Sequence, residues 1–137
     1  MTEDELLQRL SQTLRKEIGP AIEIEYPKTQ AFMASVVTQK LGRQVGLARA
    51  HETAEAADFS SLVTDLQELT KSTSNVKKLS DAIVAFDRAR TKVELCQVID
   101  ALYSERAEIG EAPFSSLLAR VRVCLRSSID RQMEYAA

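Results

Sequence analysis

Apolar residues recur every three or four positions along nearly the whole chain, the spacing that lines one face of an α-helix. The clearest stretch comes first. Thr2 followed three residues on by Glu5 is a capping-box signature, and Leu6, Leu7, Leu10, Leu14 and Ile18 then fall on one helical face. Gly19-Pro20 is expected to stop this helix, because glycine takes a left-handed φ cheaply and proline cannot donate the next hydrogen bond. Residues 22–27 alternate apolar and acidic with period two. With no partner strand in the chain, they read as an extended connector or a loose helical turn, and Pro27 suits the first turn of the next helix.

That second helix is predicted from about Lys28 to the alanine-rich stretch before Asp58. Its main apolar arc holds Met33, Ala34, Val37, Leu41, Val45 and Ala48. A second set, Phe32, Val36 and Leu47, lies a third of a turn or more away, beside Lys40 and Arg43. A helix apolar on more than one side is either central or shared with another subunit. Asp58 is a plausible cap for a short third helix carrying Phe59, Leu62, Val63, Leu66 and Leu69, and residues 71–75 read as a loop. A fourth stripe follows: Val76, Leu79, Ile83, Phe86 and Val93. It jumps by nearly half a turn to Leu95, Val98, Ile99, Leu102 and Tyr103, and a second capping-box match at Thr91 and Glu94 sits at the jump. A kink or a fresh helix start is expected there. Gly110 to Pro113 ends the segment, and Phe114, Leu117, Leu118, Val121, Cys124, Leu125 and Ser128 line the last helix. The pattern predicts an all-α bundle of five to six helices with short loops, one domain over residues 1–137, without internal repeats.

Composition narrows function mostly by exclusion. The chain is 45% hydrophobic and 28% charged, with a formal charge of −2. That balance belongs to a globular protein and gives no electrostatic reason to expect nucleic acid or a membrane surface as partner. The longest uncharged run, residues 29–39, is too short to span a bilayer, and the acidic start lacks the features of a signal peptide, so a cytoplasmic address is expected. Cys96 and Cys124 then read as reduced, buried packing residues.

Recognisable chemistry is scarce. His51-Glu52-x-x-Glu55 shares only its first two letters with a zincin helix, and a zinc or di-iron site needs a second imidazole that this chain lacks. No metal, cofactor or catalytic set is expected. Gly42 and Gly46, one turn apart, suggest either a close helix crossing or a frayed, kinked helix. Arg120/Arg131 and Arg122/Arg126 fall on two faces of the last helix, read as solvated. The least ordinary stretch is residues 23–39, where Glu23, Glu25, Tyr26, Gln30 and Gln39 stand among apolar residues and are the candidate pocket.

The segments Leu14-Arg15-Lys16-Glu17-Ile18-Gly19-Pro20-Ala21-Ile22 and Phe32-x-x-Ser35-Val36-x-x-Gln39 resemble an uncharacterised bacterial helical domain. That domain is typically encoded beside acyl-CoA dehydrogenases and aminoglycoside-phosphotransferase-like kinases. The resemblance covers roughly the first 60 residues and implies a metabolic context, not an activity. The leading expectation is a non-enzymatic accessory domain acting by protein contact, as a homodimer through Phe32, Val36 and Leu47. The alternative is a small-molecule-binding or catalytic bundle, acyl-CoA-linked, with its pocket near residues 26–39.

Overall fold

A computed structural model describes residues 1–73 and 76–136, with only the backbone of Ala136; Ser74 and Asn75 of the expected loop lie outside the described residues. Among the described residues there is no strand. Helix α1 covers Glu3–Thr13 and continues through a π-helical turn, Leu14–Ile18, into a last turn, Gly19–Ala21. Then come α2, Glu25–Thr70; α3, Lys77–Ala89; α4, Lys92–Ser104; α5, Arg106–Ile109; and α6, Glu111–Ala136. The chain divides into two compact units, residues 1–52 and 53–136.

Two boundaries differ from the sequence expectation and a third decides between its two alternatives, each for a local reason. Gly19-Pro20 does not stop α1. Gly19 is helical (φ −55°) and its N–H donates to the Leu14 carbonyl, five residues back. The widened π turn eases the proline ring past the preceding carbonyls, where a regular α-turn would clash. Asp58 does not cap a new helix. Its carboxylate accepts from Arg131 Nη1 at 2.7 Å, and with no Gly or Pro between Gly46 and Thr70 the 46-residue α2 runs straight past it. At Thr91 the fresh start is real: Arg90 takes a left-handed conformation (φ 53°) and α4 begins at Lys92.

The second unit is built on large apolar side chains. Phe59, Leu62 and Leu66 of α2, Leu79, Ile83 and Phe86 of α3, Leu95, Val98 and Leu102 of α4, and Phe114, Leu117 and Val121 of α6 form one buried cluster. Phe59 and Phe86 meet edge to face at 5.3 Å between centroids, the geometry that ring quadrupoles favour. Polar groups fix the register around it. Arg120 Nε donates to Asp65 Oδ2 at 2.5 Å, and Ser128 Oγ donates to Glu55 Oε1 at 3.1 Å. Glu105 caps α3 from a distance, its two carboxylate oxygens each accepting at 3.0 Å from the backbone N–H groups of Lys78 and Leu79. A carboxylate there satisfies orphan donors and complements the helix dipole.

The first unit is built differently. Its buried residues are Ser11, Gly19, Ala31, Ser35 and Gly42, all small. A Cβ added to Gly42 would lie 3.2 Å from Leu7 Cβ, one on Gly46 3.3 Å from Asp4 Oδ2, and one on Gly19 3.1 Å from the Phe32 ring. Ser11 Oγ donates to the Ser35 carbonyl at 2.7 Å. These contacts descend along α1 as they ascend α2, so the two helices form an antiparallel hairpin. Gly42 and Gly46 therefore mark a close crossing. Asp4 closes its end: a hydrogen bond from Thr2 holds its carboxyl below the usual range, with Arg49 adding attraction.

Candidate functional site

The close crossing decides where the larger apolar side chains point. In an antiparallel pair of right-handed helices, the residue just before each contact position turns to the same side on both helices. Leu6 and Leu10 precede Leu7 and Ser11 on α1, while Leu41 and Val45 precede Gly42 and Gly46 on α2. All four thus share one side of the hairpin, with Val37 one turn before Leu41 and Met33 at the margin. Leu6 is 58% exposed, Leu10 48%, Met33 64%, Val37 57%, Leu41 48% and Val45 38%. The main apolar arc read from the sequence is therefore the open face of the first unit, and the small residues make the helix contact.

Of the expected interface residues, Phe32 is half-buried with its ring tip against Gly19, Leu47 is half-buried, and Val36 is exposed. They do not form the largest apolar surface of the hairpin. Glu23, Glu25, Tyr26, Gln30 and Gln39, the expected pocket, are all exposed. Gln30 Nε2 donates to Tyr26 Oη at 2.9 Å across one turn. Gln39 is nine residues beyond Gln30, half a turn out of phase, and so points to the opposite side of the same helix. The structure does not bring these five side chains together.

The remaining candidates settle into structural positions. Arg120 and Arg131 are engaged by Asp65 and Asp58 rather than solvated, whereas Arg122 and Arg126 are exposed. Cys124 is buried, and burial pushes its thiol pKa up, with Asp58 adding to the effect. Cys96 is exposed, contrary to the packing role expected of it, because the α4 stripe buries Leu95 and Val98 on either side and turns Cys96 outward. Among the described residues no group of three or more His, Cys, Asp or Glu is placed to hold a metal, and no helix is long and apolar enough to cross a membrane.

The open face could have been suspected from the sequence. Ala31, Ser35, Gly42 and Gly46 recur at helical spacing, a small-residue stripe that lets backbones approach closely. Comparison with protein-family models, curated proteins and solved structures returns no match.

Proposed function

We propose that this chain is a non-enzymatic cytoplasmic accessory domain that acts by protein–protein contact, its partner another protein or a second copy of itself. The observation that carries this reading is the apolar face of the first unit. The largest contiguous apolar patch on a protein surface, typically about 300–600 Å² on a monomer, is often a site of interaction. The pocket alternative draws no comparable support, since its residues are exposed and dispersed.

Site-specific photo-cross-linking tests the reading. A photoreactive residue at position 41, on the open face, is expected to capture a polypeptide, while one at Gln39, on another side of α2, is not. Equal capture from both positions contradicts the proposal. So does an acyl-CoA or nucleotide that raises the melting temperature in a manner abolished by Tyr26→Ala or Gln30→Ala.

A further inference from the structure

We infer that the open face is covered by the same face of a second copy, two α1–α2 hairpins closing a four-helix bundle, and that the first unit gains its hydrophobic core only in that dimer. The inference rests on the contact reading above and names its partner.

The first argument is what the hairpin lacks. Every member of the buried apolar cluster lies between Phe59 and Cys124, while the first unit buries nothing larger than alanine or serine. Helices that expose one apolar stripe become stable by packing it against another layer, and a hairpin alone is a single layer. Small-residue contacts bring backbones close but remove little apolar surface from water.

The second argument is area. Leu6, Leu10, Met33, Val37, Leu41 and Val45 are between 38% and 64% exposed. Together they offer on the order of 500 Å² of apolar surface, toward the upper end of the largest patch a typical monomer carries. A standard interface takes about 800 Å² from each partner, about 65% of it apolar in homodimers. One face thus supplies an apolar core of the size a stable dimer needs.

The third argument is self-complementarity. A two-fold axis lying in the plane of the face turns one hairpin over onto another with each helix antiparallel to the helix it covers, so two copies stack hairpin on hairpin as an up-down bundle. The α2 row of Ala34, Val37, Leu41, Val45 and Ala48 carries no charge, so a copy brings no like charge against it.

Sedimentation and far-UV circular dichroism of the whole chain test this together. The 15.2 kDa chain is expected to sediment at twice its mass at tens of micromolar and to lose helical signal as it is diluted to monomer. The double variant Val37→Glu/Leu41→Glu is expected to raise the dissociation constant at least about 100-fold, as charges placed in a desolvated interface do. Its second unit should retain a cooperative thermal transition, which separates lost contact from general misfolding. Val36→Glu, on another side of α2, should leave the dimer intact. A wild-type monomer with full helicity at about 100 µM overturns the inference, as does a dimer that survives the double variant or is lost in Val36→Glu. Monomeric wild type that still cross-links from position 41 to a different protein overturns the inference alone and leaves the proposed contact function standing.

Discussion

The two units solve the same problem, holding helices together, with opposite materials. Residues 53–136 interlock leucines, valines and phenylalanines that are almost wholly buried. Residues 1–52 bring two helices together on glycine, alanine and serine, half-bury Leu7, Leu14 and Leu47, and leave Leu6, Leu10, Leu41 and the valines exposed. Burying a large apolar side chain contributes about 1.5–3 kcal/mol, whereas bringing two small residues together contributes far less. The second unit therefore carries its own stability, and the first unit carries its apolar surface as something to offer.

Substitutions should break this contrast in order of size. The largest effect belongs to the second unit. Phe86→Ala removes a ring with no exposure that packs edge to face on Phe59, and should cost about 3–5 kcal/mol in denaturant unfolding. Leu41→Ala, the same kind of truncation on a half-exposed residue, should change the stability of dilute monomer by about 0.5 kcal/mol or less. Comparable losses from the two substitutions would mean that the open face is packed after all.

Next in size is the crossing itself. A branched side chain at Gly42 meets Leu7 Cβ and the Asp4 carbonyl at once. Gly42→Leu should force α1 away at a cost of about 1–3 kcal/mol, read as faster proteolysis of residues 1–52 while the fragment beginning near residue 53 persists. A variant as resistant as wild type would contradict the close packing. Glu105→Gln should cost about 0.5–1 kcal/mol in thermal unfolding of the second unit, because it weakens a charged cap on α3.

The smallest effect separates the two cysteines. Cys96, being exposed, should react directly with a thiol reagent, and Cys124 only through opening. Burial raises the Cys124 pKa in the folded state, so between the unfolded and folded values the native state holds the extra proton. Stability should therefore decline as pH rises above the ordinary thiol pKa of about 8.5, and Cys124→Ala should flatten that slope. A slope unchanged by the substitution would assign it to other groups.

The sequence carried the second unit well and the first unit only partly. The stripes through Leu79, Ile83 and Phe86, through Leu95, Val98 and Leu102, and through Phe114, Leu117 and Val121 are the observed core, because a large apolar face can be satisfied in only one way. In α2 periodicity located the apolar arc correctly but could not say which face packs, since a stripe of small residues and a stripe of large ones can each meet a neighbouring helix. The paired glycines held the answer. Periodicity could not choose between crossing and fraying, because that depends on Leu7 and Asp4, far away in sequence. Asp58 misled for a similar reason: a residue type that commonly caps helices is used instead by Arg131, from the far end of the chain. In the candidate pocket segment, Gln30 and Gln39 share a helix without sharing a side, because nine residues is two and a half turns.

Residue-resolved hydrogen exchange of the wild-type chain at two concentrations tests the central claim most directly. At about 100 µM, amides of α1 and of the first half of α2 should be protected alongside those of α3, α4 and α6. At submicromolar concentration, protection of residues 3–45 should collapse toward fraying values while that of the Leu79 to Leu102 and Leu117 to Cys124 segments stays near its global value. Protection of the first unit that is strong and independent of concentration would contradict the claim that its core is completed only by a partner.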